Sequence, residues 1–354
     1  CIRDRGMVGQ RFISLLKDHP WFEVNCVAAS ARSAGKTYRE AVGERWAFSW
    51  EIPEKVAGMT VVDAADIDEV SKHVDFVFCA VDMKKDEIRA LEEAYAKHEI
   101  PVVSNNSACR GIEDVPMVVP EINADHLAVI EAQKKRLGTK NGFIAVKPNC
   151  SIQSYVPALT PLLDFEPEKV SVCTYQAISG AGKTFKTWPE MVDNVIPYIG
   201  GEDEKSENEP LKLWGHVEDG KIVNAALPVI SAQCLRVACS DGHMAAVSVS
   251  FKKKPTIEQI KERWANYETE AQRLELPSAP KPFLQYFEDP SRPQTRLDRD
   301  FQNGFGVSIG RLREDKLFDY RFVCLSHNTV RGAAGGGILT AELLCRKGYI
   351  PHRV

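Results

Sequence analysis

Cys150 is the residue of this chain that is best placed to act as a nucleophile. It follows an apolar, strand-like segment at residues 142–146 and lies in the run Lys147, Pro148, Asn149, Cys150, Ser151. Because proline fixes the backbone φ angle, this turn would hold the thiol in a defined position. An attacking group needs such placement, although a buried structural cysteine is the simpler interpretation of any single cysteine.

An arginine and a histidine seven residues apart could serve the same site. Arg236 lies near the end of one apolar run, and His243 follows Gly242 at the start of the next. If the two runs are neighbouring strands, both side chains can face one cleft. His243 titrates near neutral pH and could act as base and then as acid, while Arg236 could grip a carboxylate with two hydrogen bonds. A histidine bonded within a turn is the alternative.

Two small-residue segments could accept a flat ligand such as nicotinamide. Gln176 ends a predicted strand and precedes a turn that contains Ser179, Gly180 and Gly182. The backbone of that turn could approach a ring closely, although an ordinary strand-to-helix turn is the alternative. Asn328 begins a glycine-rich segment and could hydrogen-bond a carboxamide, or it could simply cap a helix.

The start of the chain resembles the second half of a dinucleotide-binding turn. Glycines at positions 6 and 9, around Met7 and Val8, would let backbone N–H groups approach a pyrophosphate at a helix N-terminus. Arg3 occupies the position at which the first glycine belongs, and no strand-like segment precedes the turn. We expect this altered start to weaken NADPH binding or folding.

The turn after the predicted strand 22–29 favours NADP over NAD. Ser30, Arg32 and Ser33 stand where an NAD-binding protein would place an acidic residue for the ribose. Two hydroxyls and a guanidinium suit a 2′-phosphate, and no carboxylate is present to repel it. A basic surface turn is the alternative interpretation.

The elements that would position these residues predict an α/β protein. Apolar runs at 74–81 and 100–104, with a helix at 88–96, are typical of βαβ units in a Rossmann-like parallel sheet. Beyond residue 150 the runs 169–176 and 245–251 alternate as in a half-exposed antiparallel sheet, and 256–272 predicts a helix. The charged run 200–205 indicates a surface loop.

We therefore predict two domains. An NADP-binding, Rossmann-like domain would occupy residues 1–148, its first strand missing or aberrant, completed by a C-terminal helix at 329–354. An α+β domain with a mixed sheet would occupy residues 149–328.

Bulk composition excludes several classes of protein. The chain has 354 residues and a formal net charge of −4, so it offers no basic surface for nucleic acid or membranes. It has no apolar stretch of the roughly 20 residues needed to span a bilayer. Its ten cysteines are scattered and form no metal-ligand pattern. We expect free thiols, no metal and a cytoplasmic location.

Four motifs in order make the chain similar to the aspartate-β-semialdehyde dehydrogenase family, in its archaeal and fungal branch. They are residues 6–12, residues 147–151, residues 175–182, and Arg236 with Gly242 and His243. The resemblance implies a homodimer or homotetramer with an NADP-binding domain and a catalytic, dimerisation domain. It implies reduction of L-aspartyl-4-phosphate by NADPH to the semialdehyde with release of phosphate, on the branch to lysine, methionine and threonine.

The resemblance also implies a role for each matching residue. Cys150 would form a thioester, His243 would handle protons, and Gln176 would position the intermediate. Arg236 would hold the α-carboxylate and Glu202 the amine, with Glu204 and Glu209 as alternatives to Glu202. The phosphate would contact Arg110, Asn149 and Lys205. Two other functions stay open at this point: a malonyl-CoA reductase of the same fold, and a non-catalytic member of the family.

Overall fold

The computed structural model describes residues 6–351. The predicted aberrant start of the chain, including Arg3, lies outside the described residues. Within them, no helix has the length and apolar character that crossing a membrane requires.

The first part of the chain builds short parallel strands with helices between them. Strand β1 pairs with β2, and β4 lies between β3 and β5. The side chains of β1, β3, β4 and β5 are all buried, as expected for parallel strands covered on both faces. The strands are β1 (Val27–Ala29), β2 (Val61–Asp63), β3 (Val77–Cys79), β4 (Val102–Ser104) and β5 (Ile144–Val146). The α-helices are α1 (Met7–Leu16), α2 (Tyr38–Val42), α3 (Glu54–Ala57), α4 (Ile67–Ser71), α5 (Lys85–Lys97) and α6 (Ile130–Leu137), with 3₁₀ turns at Gly43–Arg45 and Ala124–Val129.

The second part is a seven-stranded mixed sheet beside a small hairpin. The strands are β6 (Pro167–Gln176), β7 (Val195–Ile196), β8 (His216–Glu218), β9 (Lys221–Val223), β10 (Val229–Val237), β11 (His243–Phe251), β12 (Leu284–Phe287), β13 (Val307–Glu314) and β14 (Tyr320–Ser326). The large sheet has the order β12-β13-β14-β11-β6-β10-β7, in which β6 is parallel to β10 and antiparallel to β11. Strands β8 and β9 form the hairpin. The predicted fold class, a Rossmann-like domain with a mixed-sheet domain, is confirmed.

Short helical elements connect these strands. The α-helices are α7 (Val156–Leu159), α8 (Glu202–Leu213), α9 (Ile257–Ala265), α10 (Glu270–Arg273), α11 (Thr295–Asp298) and α12 (Gly335–Arg346), the last preceded by a π-turn at Val330–Ala334. The 3₁₀ turns are Ser151–Gln153, Thr160–Phe165, Ile178–Ala181, Pro189–Met191 and Phe301–Gly304. Helix α12 packs into the same hydrophobic cluster as Phe12 and Val27 of the first part.

Several predicted elements differ from the structure. Within the described residues, the C-terminal helix predicted at 329–354 is a π-turn followed by α12, and the apolar runs at 74–81 and 100–104 are strands only at β3 and β4. The strand predicted at 22–29 is paired only at Val27–Ala29, because β2 offers a partner over three residues. The helix predicted at 256–272 is two helices, because Thr269 caps a new helix with its own capping box. The charged run 200–205 is not a loop but the start of α8. Gly201 adopts φ +69° before the helix, and three acidic residues occupy its first turn, where the helix dipole favours negative charge.

Candidate active site

Three candidate residues lie side by side at one end of the mixed sheet. Gln176 ends β6 and is paired with Arg236 on β10. On the other side of β6, Met244 of β11 is paired with Tyr175, so His243 begins its strand beside Gln176. This register brings an amide, a guanidinium and an imidazole to the same strand ends.

The thiol of Cys150 meets His243 at this sheet end. Cys150 follows β5 and begins the 3₁₀ turn Ser151–Gln153, and its Sγ lies 3.5 Å from His243 Nε2. The other ring nitrogen, Nδ1, accepts a hydrogen bond from the backbone N–H of Ala177 at 3.1 Å. This bond favours the tautomer with the proton on Nε2. In that tautomer His243 donates towards the sulfur, which suits stabilising a thiolate.

The pKa values of the pair follow from burial and neighbouring charges. Burial raises the pKa of the Cys150 thiol above its usual value, and the Glu202 carboxylate adds to the rise, while Lys147 and Arg236 oppose it. Burial, followed by the charge of Arg236, lowers the pKa of His243 to about 3. The imidazole is therefore neutral at physiological pH, and the thiol is mostly protonated there.

Glu202 is the centre of a buried network that joins three other candidates. Asn149 Nδ2 lies 2.9 and 3.0 Å from the two carboxylate oxygens and donates to them. Gln176 Nε2 donates to Glu202 at 3.2 Å, and Lys205 Nζ forms an ion pair with it at 2.9 Å. Burial by itself would raise the pKa of Glu202, but Lys205 and the two amides outweigh it and hold the pKa below its usual value. An ionised carboxylate in this position can receive an ammonium group.

Arg110 is connected to the turn that carries Cys150 through Glu209, a residue to which the sequence assigns no definite role. Its Nη1 donates to Glu209 Oε1 at 2.9 Å, and its Nη2 donates to the carbonyl of Asn105 at 3.1 Å. The second oxygen of Glu209 accepts the backbone N–H of Asn149. A helical prediction for residues 202–213 would have revealed Glu209, because positions i, i+3 and i+7 share one face of a helix.

The turn after β6 comes close to both Arg236 and His243. Arg236 is buried, and its Nη1 donates to the carbonyl of Ala177 at 2.7 Å. A Cβ atom added to Gly180 would lie 2.8 Å from Arg236 Nη1 and 3.1 Å from His243 Nε2. The absence of a side chain at Gly180 therefore leaves a narrow space over the pair. Gly182 ends the turn with φ +68°, which glycine adopts at low cost.

Asn328 braces this turn against the start of β11. Its Oδ1 accepts the backbone N–H of Gly242 and its Nδ2 donates to Ser179 Oγ, both at 2.8 Å. The side chain is buried. Asn328 thus links the Ser179 turn to the residue that precedes His243.

The residues predicted to bind a dinucleotide lie at the start of α1 and after β1. Gly6 is the N-cap of α1 and provides no side-chain cap. The N–H groups of a first helical turn have no partners within the helix, which suits a phosphate. Ser30 and Arg32 are exposed, whereas Ser33 is buried, and its Oγ has no hydrogen-bond partner among the described residues. These features fit a dinucleotide that carries a 2′-phosphate.

A Rossmann-like domain joined to a mixed-sheet domain, with a cysteine beside a histidine at the sheet end, defines a thiol-dependent dehydrogenase. Comparison with known proteins narrows this class. The family description "semialdehyde dehydrogenase, NAD binding domain" matches residues 4–130, and "semialdehyde dehydrogenase, dimerisation domain" matches residues 159–331.

Individual proteins are similar to this chain over almost its whole length. The aspartate-semialdehyde dehydrogenases of Aspergillus fumigatus and Archaeoglobus fulgidus are each 43% identical to it, over 98% of this chain and 96% and 97% of theirs. A crystal structure of the Candida albicans enzyme with NADP is similar with a TM-score of 0.89 at 38% identity, covering 99% of this chain and 98% of that one. The chain belongs to the aspartate-semialdehyde dehydrogenase family, as its motifs predict. These relatives do not favour the malonyl-CoA reductase or the non-catalytic alternative.

Proposed function

We propose that the protein is an NADP-dependent, phosphorylating aspartate-semialdehyde dehydrogenase that converts L-aspartyl-4-phosphate to L-aspartate-4-semialdehyde. This reaction serves the synthesis of lysine, methionine and threonine. The observation that carries the proposal is the 3.5 Å contact of Cys150 Sγ with His243 Nε2, beside Gln176 and Arg236 at the strand ends. Membership of the family supports the same reaction.

The charged side chains of the site match the charges of the substrate. Arg236 would hold the α-carboxylate and Glu202 the α-ammonium group. Arg110, with Asn149 and Lys205, would bind the phosphate. The pKa of Glu202, which lies below its usual value, supports an ionised carboxylate at neutral pH. Burial lowers the pKa of Arg236, but a guanidinium starts from so high a value that it keeps its charge at neutral pH. This arrangement would place the acyl carbon next to the Cys150 sulfur.

Chemistry would then proceed on the protein's own thiol. The half-exposed Cys150 thiol loses its proton to water, because His243 Nδ1 accepts from Ala177 and Nε2 already carries a proton. The thiolate then attacks the acyl carbon, a C–S bond forms, and the C–O bond to phosphate breaks as phosphate leaves with the electron pair. His243 Nε2–H would stabilise the thiolate, and Gln176 would position the thioester. The N-terminus of α1 (Gly6, Met7, Val8, Gly9), the turn with Ser30, Arg32 and Ser33, and the segment with Ser179, Gly180, Gly182 and Asn328 would hold NADP. When bound, NADPH would supply the hydride that reduces the thioester. The C–S bond would then break, with the Cys150 sulfur leaving as the thiolate and the semialdehyde released.

The experiment that tests this function is phosphate-dependent reduction of NADP by the purified protein with L-aspartate-4-semialdehyde. We expect activity in the parent, none in Cys150→Ala, and near-parent activity in Cys345→Ala, a cysteine near the end of α12 and outside the site. Omission of phosphate should abolish the reaction. Activity that survives Cys150→Ala would contradict the proposed nucleophile, and an inactive but folded parent would contradict the function.

We also propose that the protein is a homodimer through the open face of the mixed sheet. Tyr175 on β6 lies between Leu235 on β10 and Met244 on β11, and Tyr175 is 38% exposed. The matching of residues 159–331 to a dimerisation domain supports this choice, and one self-complementary face fits two-fold symmetry.

Tyr175→Glu would place a charge in the proposed dimer interface. We expect light scattering to show a dimer for the parent and a monomer for this variant. Leu317→Glu, at an exposed site on the β13–β14 turn, should leave the dimer intact. A monomeric parent would contradict the proposal, and a tetramer would require a second interface.

We also propose the boundaries of the two domains and a cytoplasmic location. Packing of Ile338 and Leu343 of α12 with Phe12 supports a cofactor domain of residues 1–148 completed by residues 329–354, with residues 149–328 as the catalytic domain. The cytoplasmic location is proposed because the scattered cysteines are expected to be free thiols, which persist in a reducing compartment.

A further inference from the structure

Helix α8 carries a row of alternating charges along the site. Glu202, Lys205, Glu209 and Lys212 are spaced by three, four and three residues, which keeps them on one face of the helix. Glu202 and Lys205 belong to the network around Asn149 and Gln176. The family resemblance offers Glu209 only as an alternative to Glu202 for the substrate amine, and it gives Lys212 no role.

Glu209 joins two parts of the site that must act together. One carboxylate oxygen accepts from Arg110 Nη1 and the other from the backbone N–H of Asn149, next to Cys150. The side chains of Arg110 and Glu209 are each 11% exposed, so the bridge is largely shielded from water. Only a carboxylate of this length offers two acceptors to these two donors. A glutamine would turn its NH₂ group towards one of them.

Lys212 holds the loop that carries Arg110 from the same helix. Its Nζ donates to the carbonyls of Arg110, Ile112 and Val115 at 2.7, 2.7 and 3.0 Å. The three bonds use all the donors of the ammonium group. The backbone of Arg110 is thus fixed to α8 by Lys212, and its guanidinium is fixed to the same helix by Glu209.

We propose that Glu209 is a positioning residue that sets the distance between the phosphate-binding guanidinium of Arg110 and the thiol of Cys150. The inference rests on the proposed function, because it assumes that Arg110 binds phosphate. Glu209 acts through Arg110 and the Asn149 backbone and does not itself contact the substrate. A site without it would still hold both groups but would let them drift apart.

Inorganic phosphate bound in the site should protect Cys150 from alkylation by iodoacetamide, and this protection tests the positioning role of Glu209 without turnover. We expect Glu209→Gln to raise the half-protecting phosphate concentration about tenfold or more, since it removes a hydrogen bond to a charged group. Glu204→Gln, exposed on the same helix, should leave this concentration unchanged. In the Arg110→Ala background, Glu209→Gln should change it less than about threefold, because the two residues act as one unit.

Other outcomes would overturn the inference. A fall in the half-protecting concentration would mean that Glu209 competes with phosphate for Arg110. If Glu209→Gln has an undiminished effect in the Arg110→Ala background, Glu209 has a structural role that does not pass through Arg110. If phosphate does not protect Cys150 in the parent, the inference loses its basis.

Two further measurements keep the test decisive. If Glu209→Gln does not fold, Glu209→Asp, which keeps the charge but shortens the bridge, should give the same direction of change. Phosphate-dependent NADP reduction by the parent, measured in parallel, reports separately on the proposed function.

Discussion

Replacing Gly332 by alanine should move the nucleophile. Gly332 lies in the π-turn that packs against the start of the 3₁₀ turn after Cys150, and a Cβ atom there would lie 2.9 Å from Cys150 Cβ and 3.4 Å from its Cα. The π-turn cannot easily retreat. Gly332 N–H donates to the carbonyl of His327 at 2.9 Å, and the preceding Arg331 is bound to the buried Glu121. The strain therefore falls on the Cys150 turn.

The expected loss of activity follows from this contact. Carbon atoms pack at about 3.5–4.0 Å, so the turn must shift by roughly 0.6–1 Å to admit the methyl group. A displacement of about 1 Å in a reacting group costs on the order of 100-fold in rate. The accompanying loss of stability should be only about 1–3 kcal/mol, which a protein of this size can tolerate.

Steady-state kinetics of phosphate-dependent NADP reduction would check this prediction. We expect kcat/KM of Gly332→Ala to fall by about two orders of magnitude while the protein stays folded by circular dichroism. Gly58→Ala is the matched control, because a Cβ atom there meets nothing within 4 Å and its φ is −86°. Activity of Gly332→Ala within about threefold of the parent would refute the reasoning, since it would show that the turn yields without displacing the thiol.

Two further predictions concern charge. The rate of Cys150 alkylation by iodoacetamide should rise with pH, with a midpoint above that of an ordinary thiol, because burial and then Glu202 raise the thiol pKa. Glu202→Gln should lower this midpoint, and an unchanged midpoint would contradict the stated cause. Glu121→Ala should lower the free energy of unfolding in urea by about 3–5 kcal/mol, because it leaves the buried Arg331 without the carboxylate that pairs with it at 2.8 Å. A loss of stability below about 1 kcal/mol would show that water reaches the arginine.

The sequence predicts best the elements whose burial pattern is regular. Strands β6 and β11 alternate buried and more exposed residues along almost their whole length, so their positions follow from period-two patterns. The short parallel strands are predicted too long. Their apolar runs continue beyond the three residues at which a neighbouring strand offers hydrogen bonds, and pairing is a tertiary property that local sequence does not contain.

The candidate site divides in the same way. Cys150, His243 and Arg236 stand out because their residue types suggest chemistry and their positions fall at strand ends. The bridge from Arg110 through Glu209 to Asn149 could not be predicted, because it joins residues 99 and 60 positions apart. The hydrogen bond from Ala177 to His243 Nδ1 was equally hidden, and it changes the expected direction of the His243–Cys150 contact.

Helix α8 shows why a polar site can conceal the element that builds it. Its buried residues include Glu202, Ser206 and Lys212, so apolar periodicity, the main sequence signal for a helix, is weak there. Pro210 also argues against a helix, because it has no N–H for the carbonyl of Ser206. In the structure the Tyr155 hydroxyl donates to that carbonyl instead, so the acceptor stays satisfied. Partners from other elements thus stabilise α8, and the polar face that hides it from a sequence pattern is the face that supplies the site with its charges.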